Sequence, residues 1–340
     1  MSNRKVLVTG GAGYIGSHTV VELFQAGYTP VILDNFSTSD KKTINRINNI
    51  LNAEVKFFEG DCRNEDYLEK IFLVEKDISG VIHFAASKAV GESVQKPLRY
   101  YDNNLGSLIS LLKVMNKSGV NYLVFSSSCT VYGDSVDQPV RETTPVLPAK
   151  SPYANTKQVC EEIIKDFTLS KESFKALSLR YFNPIGAHPS ALIGELPIGT
   201  PANLVPYISQ TAAGICKELT VFGNDYNTPD GTCVRDYIHV IDLAKAHIQA
   251  LDYIFQNKSA DYDVFNCGTG RGNTVLEVIK TFEKVNNLKV NYSIGQRRPG
   301  DVEAIHSNVD KAKDLMGWQS SLTLEDALRD AWNWQQSFQK

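Results

Sequence analysis

Residues 5–16 read KVLVTGGAGYIG, and this stretch decides the fold. It begins with mostly apolar and β-branched residues, which are typical of a buried strand. Glycines follow at once, and the segment after them carries Val20, Leu23 and Phe24 at helical spacing. A strand, a glycine turn and a helix in this order present backbone amides and the positive end of a helix dipole to a pyrophosphate. The stretch therefore predicts the start of a dinucleotide-binding α/β domain.

The acid that follows the second strand indicates which dinucleotide binds. The segment 31–33 reads as a buried strand and ends at Asp34, roughly 20 residues past the glycines. A carboxylate there accepts hydrogen bonds from ribose hydroxyls and repels a 2′-phosphate, so NAD is predicted rather than NADP. We interpret Lys41 and Lys42, which would favour NADP, as part of a solvated loop or helix start. The glycines fit two spacings, GxGxxG at Gly11, Gly13 and Gly16, and GxxGxxG at Gly10, Gly13 and Gly16.

A serine run, Ser126–Ser128, lies one loop ahead of a segment with a catalytic spacing. Ser151 is a good N-cap and Pro152 suits the first helical position, so a helix is predicted from there. Tyr153 and Lys157 then share one helix face, and the ammonium favours the ionised phenol, whose unperturbed pKa of about 10 makes it a poor base at neutral pH. We predict a tuned general base, although an isolated YxxxK also fits a solvated surface helix.

Composition is that of a globular enzyme. The chain has 340 residues and a formal net charge of -3, which gives no support to nucleic-acid or membrane-surface binding. No apolar run approaches the roughly 20 residues of a membrane span. The first apolar segment stops at Thr9, so we expect no signal peptide and a cytoplasmic location. No cysteine or histidine has metal-ligand spacing, so reduced thiols and no metal are expected. These residues are Cys62, Cys129, Cys160, Cys216, Cys233, Cys267, His18, His83, His188, His239, His247 and His306.

Short apolar strands alternate with helical segments through the first half of the chain, at 55–58, 81–84, 123–125 and 176–179. This alternation predicts a doubly wound parallel sheet of the Rossmann type, with helices on both faces and ligands at the carboxyl ends of the strands. The residues at those ends are Asp61, Cys62, Ala85, Ala86, Lys88, Ser126, Ser127, Ser128, Tyr181 and Asn183.

Prolines and glycines become frequent after Asn183. We predict a Rossmann domain over residues 1–183 and a smaller mixed α/β substrate lobe over residues 184–340. Some segments of the lobe should return to the main sheet, notably the strand around 264–267, and an amphipathic helix is predicted over 322–334.

Two turn-rich segments of this lobe, 231–237 and 296–301, contain arginines. Guanidinium groups in such turns suit bidentate contact with a phosphate, whereas most surface arginines are simply solvated.

Longer motifs carry a family resemblance over nearly the whole chain. They are VLVTGGAGYIGSH from Val6, DN at Asp34, VIHFAASKAVGESVQKP from Val81, SSSCTVYGD from Ser126, SPYANTK from Ser151, RYFNPIGAHPS from Arg180 and VRDYIHVIDLA from Val234. On these motifs the sequence resembles the nucleotide-sugar epimerases of the extended short-chain dehydrogenase/reductase family. The resemblance implies an NAD-dependent isomerase that interconverts UDP-galactose and UDP-glucose in galactose metabolism.

Residue roles follow from the resemblance by position. It implies Tyr153 as the base, Lys157 as the residue that tunes it and holds the nicotinamide ribose, and Ser128 as the hydroxyl beside the reacting sugar oxygen. The implied NAD contacts are Gly10, Gly13, Tyr14, Ile15, Gly16, Asp34, Asn35, Asp61, Cys62, Phe84, Ala85, Lys88, Asn103, Tyr153, Lys157 and Tyr181. The implied UDP-sugar contacts are Lys88, Ser128, Tyr153, Asn183, Asn203, Leu204, Leu219, Phe222, Arg235, Arg298, Asp301 and Ile305.

The implied mechanism oxidises and then reduces the sugar at C4. Tyr153 as phenolate takes the 4-hydroxyl proton while hydride passes to NAD, which gives a transient 4-keto sugar and enzyme-bound NADH. The keto sugar turns its other face to the cofactor, and hydride returns with inversion. Because NAD is regenerated in each turnover, it should stay bound.

Three other functions are weighed against this one: an epimerase of UDP-N-acetylhexosamines, a nucleotide-sugar dehydratase, and a non-catalytic sensor of NAD and nucleotide sugars. Dehydratases of the family typically carry Thr-Asp-Glu where this chain has Ser128-Cys129-Thr130. Without that acid and base, water is not eliminated across C5 and C6. A pure sensor has no use for a tuned phenolate such as Tyr153 beside Lys157.

Substrate width and assembly are also implied by the resemblance. Ile305, four positions after Asp301, borders the sugar 2-substituent and is intermediate between a restrictive tyrosine and a permissive cysteine. We therefore expect efficient action on the plain UDP-hexoses and poorer action on N-acetylated ones.

A homodimer is expected through the segment 101–117 and the Tyr153 helix.

Overall fold

Residues 4–256, 260–298 and 301–338 are described in the computed structural model of the chain, so Pro299 and Gly300 of the second arginine turn lie outside the described residues. The strands are β1 (Lys5–Thr9), β2 (Thr29–Asp34), β3 (Lys56–Glu59), β4 (Ile78–His83), β5 (Tyr122–Ser128), β6 (Lys175–Tyr181), β7 (Asn183–Ile185), β8 (Leu219–Phe222), β9 (Val234–Arg235), β10 (Tyr237–His239), β11 (Tyr262–Cys267), β12 (Asn273–Thr274), β13 (Tyr292–Gly295) and β14 (Ala304–Ile305). The helices are α1 (Tyr14–Gln25), α2 (Lys42–Leu51), α3 (Glu65–Val74), α4 (Val90–Gln95), α5 (Pro97–Ser118), α6 (Pro152–Ser170), α7 (Leu204–Ala212), α8 (Val240–Phe255), α9 (Val275–Asn286), α10 (Asp310–Met316) and α11 (Leu324–Ser337), with a 3-10 turn at Cys129–Tyr132.

Seven parallel strands form the main sheet, in the order β11-β6-β5-β4-β1-β2-β3. The order reverses at β1, which pairs with β2 on one side and with β4 on the other. Connections therefore leave the centre of the sheet in opposite directions, and a crevice opens at the carboxyl ends of β1 and β4. The doubly wound fold predicted from the sequence is confirmed.

Alternating side chains of the central strands build two apolar layers. Val6 and Val8 point to one face, where they are buried with α1 and α8, while Leu7 points to the other face and is buried with α3, α5 and α6. Such alternation in a strand covered on both sides explains why β1 reads as a continuous apolar run. The two layers hold the carboxyl ends of the strands rigidly at one edge.

The chain beyond residue 183 contributes to both parts of the molecule. As predicted, the segment around 264–267 joins the main sheet, where β11 pairs in parallel with β6. α8 packs on α1, on the face of the same sheet to which Val6 and Val8 point. The division at 183/184 stays a prediction, since β11 and α8 from the second half of the chain complete the main sheet and one of its helical layers.

Three small sheets form the remainder: β7 with β10, β9 between β12 and β14, and β8 with β13. α7, α9 and α11 pack around a separate core in which Ile208, Phe282 and Leu328 are fully buried. The predicted terminal amphipathic helix corresponds to α11. Within the described ranges, none of the helices combines the length and the apolar character that crossing a membrane requires.

We expect Gly16→Ala to destabilise the fold. A Cβ at Gly16 would lie 2.2 Å from the Gly10 carbonyl oxygen, which is backbone and yields only if the glycine turn moves. The free energy of unfolding in urea should fall by about 1–3 kcal/mol, as for other overpacked sites. Gly91→Ala is the control, because its Cβ enters open space in α4 and should leave stability unchanged or slightly raised. Equal effects of the two substitutions would contradict this packing.

Candidate active site

The glycine turn connects β1 to α1 at the crevice. Gly10 has a φ of +69°, and a Cβ there would lie 2.8 Å from the Ala85 amide nitrogen, so the turn packs directly on the chain that leaves β4. α1 begins after Gly13 with no capping side chain from the described residues. Its first amides are therefore free to bind an anion at the positive end of the helix dipole. This bare, closely packed turn fits the pyrophosphate of a dinucleotide.

Asp34 ends β2 beside the same turn and is only 8% exposed. Its Oδ2 accepts the Ala12 amide at 2.9 Å, and its Oδ1 accepts the Phe36 amide and the Ser39 hydroxyl, each at 2.9 Å. A carboxylate has about four acceptor positions, so one position remains for a ribose hydroxyl. Asp34 thus positions the glycine turn as well as the predicted ribose site.

The end of β3 supplies a second acid. Arg63 donates from Nη2 to Asp61 Oδ2 at 2.8 Å and from Nε to Oδ1 at 3.1 Å, and this pairing holds the pKa of Asp61 below its usual range. Asn35 Nδ2 donates to the same carboxylate at 3.4 Å. Cys62 lies buried behind it, and burial raises the pKa of its thiol to about 12. Arg63 was not predicted from the sequence, although it lies only two residues from Asp61.

The chain leaving β4 brings further predicted residues to the crevice. Phe84 lies next to the His247 ring, with centroids 4.7 Å apart, and Asn103 Nδ2 donates to Ser87 Oγ at 3.3 Å. Lys88 Nζ lies 5.7 Å from the Tyr14 ring centroid. Predicted cofactor residues from β1, β4 and α5 therefore meet at one edge of the sheet.

The helix with the catalytic spacing forms as predicted. Ser151 caps α6, because its Oγ accepts the Ala154 amide at 3.2 Å, and Pro152 occupies the first turn. Lys157 is 3% exposed and donates from Nζ to the Ser126 carbonyl oxygen at 2.6 Å. The same Nζ lies 6.0 Å from the ring centroid of Tyr153, which is half-buried. The alternative of a solvated surface pair does not fit this burial.

Ser128 is oriented toward the phenol. Its Oγ accepts two hydrogen bonds from Thr130, at 3.2 Å from the amide and at 3.0 Å from the hydroxyl. With both acceptor positions filled, its own proton remains available as a donor, and the Ser128 hydroxyl acts to lower the pKa of the Tyr153 phenol. Thr130 therefore orients the Ser128 hydroxyl. Sequence reasoning had noted Thr130 only because it stands where dehydratases carry an acidic residue.

Burial determines the charge state of Tyr153 and Lys157, the two predicted catalytic groups. It raises the pKa of Tyr153 to about 12, against the opposing hydrogen bond from Ser128. It lowers the pKa of Lys157 to about 8, against Cys160 and Glu161, which raise it. The lowering of the Tyr153 pKa expected from Lys157 is therefore not achieved by the protein's own groups. Near neutral pH the phenol carries its proton and the ammonium keeps its charge.

Three of the predicted UDP-sugar residues of the C-terminal half, Phe222, Arg235 and Arg298, lie around a fourth, Asp301. Arg298 donates to Asp301 from Nη2 at 2.7 Å and from Nε at 3.1 Å, and Arg235 Nη2 lies 3.7 Å from the same carboxylate. The Arg298 guanidinium also lies 5.7 Å from the Phe222 ring centroid. Two guanidinium groups around one carboxylate leave net positive charge and free donors for a pyrophosphate.

Ile305 links this cluster to the catalytic strand. β14 pairs in parallel with β9, which places Ile305 opposite Arg235. The Ile305 side chain is 6% exposed and packs in a cluster with Cys129 and Tyr132, just past Ser128. It lies between the arginine cluster and the catalytic serine, although it is more buried than a simple pocket wall.

A glutamate not predicted from the sequence joins the two halves of the site. Glu195 Oε1 accepts Asn203 Nδ2 at 2.7 Å and Lys88 Nζ at 3.1 Å. Asn203 precedes the first residue of α7, Leu204. Lys88 is 107 residues from Glu195 in sequence, so no local pattern could have indicated that contact.

The last two predicted residues are placed differently from each other. Asn183 begins β7, and its amide donates to the Asp236 carbonyl at 2.9 Å beside β6. Leu219 is 2% exposed, and its side chain packs into the core between α7 and α9. Any contact of Leu219 with a ligand therefore comes from its backbone. The described residues contain no group of three acidic, histidine or cysteine side chains suited to a metal ion.

Comparison with known proteins agrees with this geometry. A sequence profile of the family described as GDP-mannose 4,6 dehydratase matches residues 7–331. The UDP-glucose 4-epimerase of Bacillus subtilis is 48% identical over 332 residues, which cover 98% of this chain and 97% of that relative.

Two solved structures are similar over almost the whole chain. UDP-glucose 4-epimerase from Stenotrophomonas maltophila, with bound NAD and formylated UDP-arabinopyranose, has a TM-score of 0.96 and 46% identity, with 99% of both chains covered. The Bifidobacterium longum enzyme, in complex with NAD+ and UDP, has a TM-score of 0.93 and 46% identity, with 98% of both chains covered. Since the match in sequence and structure extends over nearly its full length, the chain belongs to the UDP-glucose 4-epimerases of the extended short-chain dehydrogenase/reductase family.

Proposed function

We propose that this protein interconverts UDP-galactose and UDP-glucose by inverting the sugar at C4. The observation that carries the proposal is the face of α6 on which the buried Lys157 ammonium, bonded to the Ser126 carbonyl at the end of β5, lies 6.0 Å from the Tyr153 ring centroid, at the same sheet edge as the bare glycine turn. Bound NAD supplies the hydride acceptor and donor, and in its oxidised form a positive charge, at the nicotinamide. Gly10, Gly13, Gly16 and Asp34 would hold it.

Proton transfer is the task of the protein's own residues. Tyr153 takes the proton from the sugar 4-hydroxyl as C4 is oxidised to the ketone, and gives it back when C4 is reduced from the other face. Burial keeps the phenol protonated in the free protein, so a positive charge brought in with the ligands is needed to lower its pKa. Ser128 donates to the phenol and Lys157 keeps a cation beside it.

Inversion requires that the keto sugar turn over without leaving. The arginine cluster around Asp301 grips the pyrophosphate in this proposal, at a distance from the reacting carbon. Because that binding energy does not depend on which face of the sugar meets the nicotinamide, the hexose can rotate while the nucleotide stays bound.

The structure offers no support for the rival dehydratase chemistry. Cys129 is 8% exposed and burial raises the pKa of its thiol to about 12, while the Thr130 hydroxyl is bonded to Ser128. Neither residue is an acid or base placed to eliminate water. An assay of purified protein with UDP-galactose, read as UDP-glucose formed with no net change in NAD, tests the proposal. Formation of a stable 4-keto-6-deoxy product would contradict it.

Two helices of the main layer present apolar surface that suits an interface between two copies of the chain. α5 and α6 pack against each other, and together they present exposed apolar residues such as Leu98 and Leu169. We propose that these helices form the interface of a homodimer, which light scattering can test. The six cysteines all lie in the described ranges and are free, which suits the reducing cytoplasm.

We expect Tyr153→Phe to lower turnover by about 10²–10⁴-fold, the range typical of a lost general base. NAD and UDP affinity should stay close to that of the unchanged protein, because Tyr153 is one of many proposed contacts and the groups proposed to hold the two pyrophosphates lie elsewhere. Stopped assays and equilibrium titration measure the two quantities separately. Substantial activity in Tyr153→Phe would assign the base to another group, with Ser128 next in line.

Lys157→Met should also slow the reaction and alter its pH-rate profile.

Asp34→Ala should weaken NAD binding about 10- to 100-fold, the loss of a hydrogen bond to a charged group worth about 1.5–3 kcal/mol. Discrimination against NADP should relax as well, because the repelling carboxylate is gone. The measurement is the nucleotide retained on purification and the dissociation constants for both cofactors. Asp77→Ala, at an exposed position, is the matched control and should keep the original values.

Ile305 is proposed to set substrate width. Ile305→Cys should improve action on UDP-N-acetylglucosamine and Ile305→Tyr should abolish it, with changes of about 1–3 kcal/mol in discrimination between the substrate pairs. The ratio of kcat/KM for UDP-N-acetylglucosamine to that for UDP-glucose measures this. If both variants kept the original ratio, the Ile305 side chain would not border the sugar.

A further inference from the structure

The serine run at the end of β5 has a middle member with no task in the proposed reaction. Its neighbours hold Lys157 and Tyr153, as described above. Ser127 itself is fully buried, and its hydroxyl donates to Glu161 Oε1 at 2.5 Å. Glu161 follows Lys157 on α6 at the same four-residue spacing that separates Lys157 from Tyr153, so all three side chains share one helix face. Lys157 is bonded to the Ser126 carbonyl and Glu161 to the Ser127 hydroxyl, so two members of that face are bonded to neighbouring serines of β5.

Glu161 is also fixed from the neighbouring strand. Arg180 on β6 donates from Nε to Glu161 Oε1 at 2.9 Å and from Nη2 to Oε2 at 2.6 Å. The side chains of Arg180 and Glu161 are 6% and 9% exposed. A bidentate pair with an additional hydroxyl donor satisfies the carboxylate away from water. The pair therefore connects the catalytic helix to two adjacent strands at a single point.

We propose that Glu161 is a positioning residue for the reaction, which fixes the catalytic face of α6 against the serine run and keeps the neighbouring Lys157 ammonium charged. Arg180 and Ser127 hold Glu161 in place for this role. The inference rests on the proposed epimerase function, since it assigns a further residue to that same site.

The electrostatics of Lys157 support this role. Burial lowers its pKa to about 8, and Cys160 and Glu161 act in the opposite direction. Burial raises the pKa of the Cys160 thiol to about 12, so this thiol is neutral when the enzyme works. Glu161 is then the neighbour whose negative charge favours the ammonium. Loss of the carboxylate should let Lys157 lose its proton at a lower pH.

Other titratable groups around Lys157 do not replace the carboxylate. Burial lowers the pKa of His83 on β4 to about 3, so its ring is neutral. Burial keeps the Tyr153 and Tyr181 phenols protonated near neutral pH. Arg180 is a cation. Tyr100 of α5 and Glu92 of α4 are hydrogen-bonded to each other, and Tyr101 of α5 accepts a hydrogen bond from Asn155 of α6. Burial raises the pKa of Cys129 and Tyr132 in the 3-10 turn and of Tyr262 on β11, so these three groups are neutral.

The test compares Glu161→Gln with Glu162→Gln, which removes the same charge from the next, exposed position of α6. Two quantities are measured, the first on the NAD-loaded protein and the second on both the NAD-loaded and the NAD-free protein. The first is the alkaline limb of the pH profile of kcat/KM for UDP-galactose. The second is the titration of Lys157 by NMR in protein labelled with ¹³C at lysine Cε, assigned with Lys157→Met.

In Glu161→Gln both the limb and the titration should move about one pH unit lower, as expected for loss of one close opposite charge. Glu162→Gln should leave both in place. An equal loss of activity at every pH, with the limb and the Lys157 titration unmoved, would overturn the inference and leave Glu161 a purely structural residue.

Removal of one charge can unfold the protein, because Arg180 is then buried without its partner. Glu161→Gln with Arg180→Met removes both charges, retains an amide for Ser127, and should show the same displaced titration. If the unchanged protein does not act on UDP-galactose, the proposed function fails, whereas the Lys157 titration still decides whether Glu161 keeps the ammonium charged.

Discussion

The hydrogen bond from the buried Lys157 ammonium to the Ser126 carbonyl, 2.6 Å long, is the contact on which the arrangement of the site depends. It joins the first half of α6 to the carboxyl end of β5, so the helix cannot slide along the strand without breaking a charge-assisted bond in a place with little water. Tyr153 and Ser128 meet only because this register is held. The same burial that strengthens this contact also disfavours the charged form of Lys157, which is why the pKa of its ammonium is lowered.

The fold around this contact is arranged so that ligand binding completes the electrostatics. The protein alone leaves Tyr153 protonated, because desolvation outweighs the single hydrogen bond from Ser128. Such a site stays inert until a cofactor and a sugar displace the remaining water and change the local charge. An enzyme that oxidises its substrate only transiently benefits from a base that is active only in the full complex.

Sequence reasoning predicted those parts of the site that depend on local chain geometry. The glycine turn, Asp34 at the end of β2, and the helix that starts at Ser151 and Pro152 all follow from neighbouring residues. Glu195, which joins Lys88 to Asn203, was not predictable, because Lys88 is 107 residues away in sequence and no helix or strand of the described residues connects Glu195 to Asn203. The direction of the Tyr153 pKa was missed for a related reason: a four-residue spacing shows the nearby lysine, but it does not show how deeply the phenol is buried. Leu219 fits a ligand contact by position, yet only three-dimensional packing shows its side chain in the core.

The pairing of β11 with β6 has a consequence for any attempt to divide the chain. A fragment that stopped at residue 183 would leave the backbone groups along one side of β6 without partners, and would uncover the apolar face of α1 on which α8 packs. An unpaired edge beside exposed apolar surface invites pairing with other chains. The nucleotide-binding half is therefore completed by the second half of the chain, and exchange of either half between relatives requires that β11 and α8 of one fit β6 and α1 of the other.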